Sequence, residues 1–246
     1  MGMRALLAGA WDALLNLIYP PVCQICRRER AGIKEGYVGG GCWSQVRFVT
    51  APFCERCGIP YEGSMTQPFV CGNCADVTLH FRFARSAVVA NPLVLQVIHR
   101  YKYDHALYFE PFLADLLLCQ AVPTLKEGKW DWIVPVPLHP AKQREREFNQ
   151  AERLARRLSR ATGIPVNPGL VRRVKPTQTQ TQLNRAERAG NVQGAFAPRG
   201  RLKLHGERII LLDDVLTTGA TTSACARVLG KAGAGEVCVW TVARGA

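Results

Sequence analysis

The chain has 246 residues and a mass of 27.2 kDa, room for one large domain or a small one followed by a medium one. With 48% hydrophobic and 21% charged residues it can bury a proper core, which excludes wholesale disorder, and it carries no triplet, heptad or longer repeat. Thirty-two Lys and Arg against 19 Asp and Glu give a formal charge of +13, a balance that points to phosphate-bearing partners, small molecule or nucleic acid, without choosing between them.

The first predicted element is a helix. Arg4 followed by Leu6, Leu7, Leu14, Leu15, Leu17 and Ile18 has the outline of a signal peptide. However, Asp12 and Asn16 interrupt the apolar region, and Pro20-Pro21 follows without a small-x-small cleavage site. The apolar run from Ala5 to Trp11 stops at Asp12, far short of the roughly 18 residues that a membrane span requires. The expectation is an amphipathic helix packed on a cytoplasmic protein with no membrane span.

Ten cysteines follow unevenly, seven of them between Cys23 and Cys74. In a reducing compartment such crowding points to metal rather than disulfides. Cys54/Cys57 and Cys71/Cys74 are two Cys-x-x-Cys knuckles with thirteen residues between them. Two knuckles aim four thiolates at one point, and a closed tetrahedron of that kind is a structural zinc site. Cys23/Cys26 should meet a second knuckle ending at Cys42, but Gly39 stands where its partner cysteine would. That site has three thiolates; its fourth ligand is left open between water, a remote side chain and no metal at all. The segment has too few apolar residues to fold unaided, so zinc-stapled ribbons are expected over residues 1–80, with His80 as a boundary residue. Cys119, Cys225 and Cys238 sit singly in apolar runs and are expected in the core.

Residues 81–246 form the second expected domain, and they hold +12 of the net charge. Strands are predicted at Phe83 to Ala90, Trp132 to Val136, Arg208 to Asp213 and Glu236 to Ala243. Helices are predicted at Pro92 to Tyr101, Leu107 to Cys119, Asn149 to Ala161 and Thr221 to Ala232. Arg172 to Arg188 lacks apolar periodicity and is expected to be a long loop. Strands separated by helices imply a parallel sheet with ligands at the carboxyl ends of its strands.

The segment from Ile209 to Thr221 is the most informative. Four apolar residues make a buried strand, Asp213 and Asp214 end it, and a loop rich in Thr and Gly leads into a helix. The helix start offers backbone N–H groups and a positive dipole end, which together cradle a phosphate. Gly219 allows close approach; Thr217, Thr218 and Thr221 supply hydroxyls. The carboxylates suit the vicinal hydroxyls of a ribose one ring away. A Walker A lysine and a Gly-x-Gly-x-x-Gly fingerprint are both absent.

This segment resembles the phosphoribosyl-pyrophosphate (PRPP) signature of type I phosphoribosyltransferases, and nearly the whole chain resembles the ComF family, in which amino-terminal zinc ribbons precede such a domain. The supporting stretches are Val134-Pro135-Val136-Pro137-Leu138-His139-Pro140, Arg146 through Phe148-Asn149-Gln150-Ala151, Thr177-x-x-Gln180, and Arg188-x-x-Asn191 through Phe196. The implied fold is α/β, a type I phosphoribosyltransferase domain behind a small zinc-ribbon domain. The implied ligands are PRPP or ribose-5-phosphate with Mg²⁺, beside structural zinc. By resemblance, Asp213 and Asp214 hold ribose hydroxyls, Val215 belongs to the same grip, and Thr217, Thr218, Gly219, Ala220 and Thr221 hold the 5-phosphate. Lys102, in Tyr101-Lys102-Tyr103, matches a family position facing the site. Lys142, Arg144 and Arg146 lie near the loop that would meet pyrophosphate, and Arg172 to Arg188 would be a hood over the site. His99, His105 and His139 are given structural roles.

The family is linked to DNA uptake in natural transformation, where a helicase-like protein participates; direct binding of single-stranded DNA and a homo-dimer are left open. Three roles follow: a transferase of unknown acceptor, a non-catalytic ribose-phosphate-binding regulator, and a DNA-binding accessory factor. This sequence departs from the family pattern twice: Glu147 replaces a glycine before Phe148, and Gly39 replaces a cysteine.

Overall fold

A computed structural model describes residues 21–63, 65, 67–75, 77–176, 190 and 192–245. The expected first helix and most of the Arg172 to Arg188 segment, with Thr177, Gln180 and Arg188, lie outside the described residues, as does Asn191. Among the described residues six strands are formed: β1 (Ala84–Val89), β2 (Trp132–Pro135), β3 (Val171–Arg173), β4 (Phe196–Pro198), β5 (Arg208–Leu216) and β6 (Glu236–Arg244). Two short helices, α1 (Gly40–Trp43) and α2 (Gly72–Ala75), lie in the cysteine-rich part. Five more follow: α3 (Pro92–Tyr103), α4 (Glu110–Lys126), α5 (Pro140–Arg146), α6 (Gln150–Thr162) and α7 (Ala220–Lys231).

The main sheet has the order β1-β6-β5-β2, and every pair in it is parallel. In the central strand β5, Ile209, Ile210, Leu211 and Leu212 are all fully buried, as a run of four apolar residues requires. Their side chains alternate between two cores. Ile210 and Leu212 join Ile133, Trp240 and the helices α3, α4 and α6, whereas Ile209 and Leu211 join Val134, Val239 and α7. The predicted strands and helices of this part all form, with ends shifted by three residues or fewer, except that α4 begins after a 3-10 turn at Leu107–Phe109 and runs seven residues past its expected end to Lys126.

Helix starts follow local chemistry. Asn91 caps α3 by accepting from the amide of Val94 at 2.8 Å, with Pro92 next; Asn149 caps α6 by accepting from Ala151 at 3.0 Å. Each such cap is worth about 1 kcal/mol.

The cysteine-rich part does not stand off from the sheet. Cys23, Ala31, Val38 and Cys42 belong to the first core, and Cys54, Cys57, Cys74 and Leu79 to the second. Residues 47–49 pair with β1: the amide of Val49 donates to Ala87 O at 2.9 Å, and that of Val89 to Arg47 O at 2.8 Å. The β1 edge, which would otherwise present unpaired backbone groups, is thereby covered.

Cysteine placement needs one correction. Cys225 and Cys238 are fully buried, but Cys119 is exposed. It lies on α4 opposite the stripe of Leu113, Leu116, Leu117 and Ala121 that faces the core, so an apolar run around it misstated its direction. Among the described residues no helix is long and apolar enough to cross a membrane.

Candidate functional site

A cavity of about 470 Å³ opens at the carboxyl ends of β5 and β2. It is lined by the end of β5, the loop into α7, the loop after β2, and side chains from α3, α5 and β3. The strand alternation decides where the two carboxylates go. Asp213 continues the Ile209 and Leu211 side toward α7, and Asp214 continues the Ile210 and Leu212 side toward α3.

Asp214 is 4% exposed and meets Lys102 of α3, whose Nζ donates to Oδ1 at 2.7 Å. Its second oxygen, Oδ2, is buried without a hydrogen-bond partner. Asp213 Oδ1 accepts the amide of Asp214 at 2.9 Å. Burial, and next the neighbouring Asp214 charge, push the Asp213 carboxyl up to about 7, against the pull of Lys102 and Arg173.

The Thr-Gly loop has the geometry its composition implies. Gly219 takes φ 76° at the head of α7, the left-handed region where a glycine costs little. Its carbonyl accepts from Thr222 Oγ1 at 3.1 Å and from the Ser223 amide at 2.8 Å, which starts the helical ladder. The Ala220 amide reaches Thr218 Oγ1 at 3.4 Å, a weak contact. Thr217, Thr218, Gly219, Ala220 and Thr221 all line the cavity, as does Val215.

Cations face this acidic strand end. Lys102, Lys142, Arg146 and Arg173 line the cavity. Arg146 is buried, donates to Gln150 Oε1 at 2.9 Å, and lies 4.6 Å over the Tyr103 ring. Burial, and next the charges of Arg146 and Arg173, lower the pKa of Lys142. Asn149, besides capping α6, donates from Nδ2 to Val136 O at 3.1 Å and so ties the loop after β2 to that helix. Lys142 and Arg146 are four residues apart on α5 and share its inner face. Arg144 lies between them, is exposed, and does not line the cavity. Arg173 was not singled out in the sequence: it ends β3 and packs over Phe196 at 5.4 Å. The pair Leu170-Val171 before it, a buried strand start, was the available signal.

His99 lines the cavity beside Tyr103, and His139 caps α5 by accepting from the Ala141 amide at 3.3 Å. Glu147, where the family pattern has glycine, takes φ 66° just after α5. A residue with a Cβ is strained there by about 1–2 kcal/mol. Its carboxylate points to solvent and lies 4.0 Å from His105, so its charge does not enter the cavity.

The cysteines gather as their spacing implies. The Sγ atoms of Cys54, Cys57, Cys71 and Cys74 lie within 4.8 Å of one another, as do those of Cys23, Cys26 and Cys42. Cys57 and Cys71 are 3.7 Å apart, close to the ~3.8 Å edge of a tetrahedron with zinc–sulfur bonds of about 2.3 Å. Burial raises the thiol pKa of Cys54, but backbone amides of Cys57, Cys71 and Arg56 outweigh it and bring the group down to about 7. Four converging thiol groups with amides aimed at sulfur form the donor set of a structural zinc site.

Geometry therefore defines an α/β protein with zinc ribbons packed on a parallel sheet and a charged cavity at the strand ends. Residues 14–75 match the double zinc ribbon domain. The chain is 31% identical to competence protein F of Haemophilus influenzae over 90% of this chain and 96% of that protein. It is 30% identical to a DNA utilization protein of Escherichia coli O157:H7 over 93% and 99% respectively. It belongs to the ComF family. Adenine phosphoribosyltransferase from Saccharomyces cerevisiae aligns with 55% of this chain and 68% of its own at 19% identity and a TM-score of 0.35, a likeness too low to add to the topology.

Proposed function

We propose that the cavity binds a 5-phosphorylated ribose, PRPP or ribose-5-phosphate, and that this binding serves DNA uptake. The observation that carries the reading is the buried, unpartnered Oδ2 of Asp214 at the mouth of the Thr-Gly loop. An unsatisfied buried acceptor costs about 1–3 kcal/mol, and a ribose hydroxyl donor would relieve it. The 5-phosphate would sit on the first turn of α7, where amides and the helix dipole favour an anion. Arg146, Lys142 and Arg173 would face the pyrophosphate. Mg²⁺, held mainly by the ligand's own phosphate oxygens, would neutralise part of their charge.

For transfer from PRPP, the chain must steady positive charge developing on the sugar and negative charge leaving with pyrophosphate. Asp213 and Asp214 suit the first task, and Arg146 with its neighbours the second. Lys102, already bonded to Asp214 at 2.7 Å, would orient that carboxylate toward the ribose.

Calorimetric titration of the full chain with PRPP and Mg²⁺ should give saturable heat, and the Asp213→Asn/Asp214→Asn double variant should lose it while keeping its circular dichroism. Absence of heat with the wild-type chain rejects the reading. Pyrophosphate released in the presence of candidate bases separates transfer from recognition alone.

The relatives' names, competence and DNA utilization, favour a second contact, with single-stranded DNA and a helicase-like partner. Arg144, Arg160 and Arg172 are exposed in the part that carries +12. Such contact would be made chiefly to phosphates, so the affinity for a single-stranded oligonucleotide should fall about tenfold or more between 50 and 200 mM salt. Salt-independent binding, or none, removes this role.

A further inference from the structure

The first cysteine cluster has three sulfurs and no fourth cysteine, and the structure brings one more donor to it. We propose that Glu29 is the fourth ligand of this site, which makes it a three-thiolate, one-carboxylate zinc centre.

Two edges of the required tetrahedron are in place. Glu29 Oε1 lies 3.4 Å from Cys26 Sγ, and Cys23 and Cys42 Sγ lie 3.6 Å apart. A tetrahedron with zinc–sulfur bonds of about 2.3 Å and a zinc–oxygen bond of about 2.0–2.2 Å has S···O edges of ~3.5 Å and S···S edges of ~3.8 Å. The two carboxylate oxygens are also already distinguished. Oε2 accepts the Gly41 amide at 2.7 Å, which leaves Oε1 for the cluster. A non-ligating oxygen held by a backbone amide is the usual orienting support of a metal-bound carboxylate.

Sterics give an independent reason. Gly39, in the place of the missing cysteine, has φ −75°, a conformation that any residue adopts. Nothing in its backbone calls for glycine. A Cβ added there would come within 2.8 Å of Glu29 Oε2 and 2.9 Å of Glu29 Cβ and Cδ; one added at Gly41 would come within 2.8 Å of Oε1. The glutamate occupies the volume that a side chain at position 39 would fill, so the missing cysteine and Glu29 are two halves of one exchange. Charge is conserved by it, because three thiolates and a carboxylate around Zn²⁺ leave the same net −2 as four thiolates. The mutually close set is the three sulfurs, and Glu29 stands at its edge beside Cys26, so ligation requires the carboxylate to move toward the other two sulfurs.

The full chain should carry about two zinc ions, and Glu29→Ala about one. Replacement of zinc by Co²⁺ reads the donor set directly, since thiolate-to-cobalt charge-transfer absorption scales with the number of sulfurs bound. The wild-type chain should show the intensity of seven thiolates in two tetrahedral sites, and Glu29→Cys should add an eighth. If Glu29→Ala fails to fold, the cobalt spectra of the wild type and Glu29→Cys decide alone. A wild-type chain with one metal ion, a Glu29→Ala chain that keeps both, or a Glu29→Cys chain with unchanged charge-transfer intensity overturns the assignment.

Discussion

Asp213 is held at a cost, and the cost has a sign. Its carboxyl keeps a proton up to about 7 in the folded chain, first through burial and then through Asp214, against an ordinary value of 3.8. Between those values the folded state binds more protons than the unfolded one, so this residue's contribution to stability falls as pH rises from about 4 to about 7. Asp213→Asn removes the titration without changing the volume. The variant should therefore melt higher than the wild type at pH 8, with a smaller difference or none at pH 5, the effect being about 1–3 kcal/mol. An equal gain at both pH values, or a loss at pH 8, would mean that the strand end does not strain this carboxylate. Under the proposed function this is a binding residue kept at the expense of stability, and a ligand that engages the carboxylates should bind more tightly as pH rises through about 7.

Legibility from sequence divides by element. The β5-loop-α7 unit was readable because all of its information is local: four apolar residues, two acids, a Gly at the turn and a helix within thirteen positions. The knuckles were readable for the same reason. Helix α5 was not, because Pro140–Arg146 contains one alanine and no larger apolar residue and so shows no periodicity; it starts on Pro140 and the His139 cap. Missing it hid the rule that sorts its charges, in which Lys142 and Arg146 face inward and Arg144 outward. Arg173 was hidden in the same way, since β3 and β4 are three residues each and become strands only by pairing with each other. Glu29 was the furthest out of reach. Its neighbours lie in two places, Cys26 in one turn and Gly39 with Gly41 at the start of α1, and only the fold shows that one carboxylate fills the space beside two glycines.

Across the whole molecule, one buried side chain bridges the second cysteine cluster and the cavity's Thr-Gly loop. Arg244 ends β6 and is 4% exposed. Its Nε donates to Cys57 O at 3.1 Å and its Nη2 to Cys57 Sγ at 3.4 Å. On the other side its Nη1 donates to Leu216 O at 3.1 Å, to Thr217 O at 2.9 Å and to Gly245 O. One guanidinium thus joins a cysteine of the second cluster to the first residues of the Thr-Gly loop. A buried cation needs opposite charge, and its hydrogen bonds among the described residues end on carbonyls and a sulfur. Four thiolates around a bound Zn²⁺ would leave a net −2, which would supply that charge through Cys57 and account for an arginine at the end of a central-sheet strand. Arg244→Met keeps most of the volume and loses the fork. It should lower zinc affinity about 10–100-fold, the range for removing a group that orients a metal ligand, measured by competition with a chromogenic chelator. PRPP affinity should weaken with it, because the loop start loses its two anchors. If the variant holds zinc as firmly as the wild type and binds PRPP equally well, the ribbon and the cavity are neighbours without being coupled.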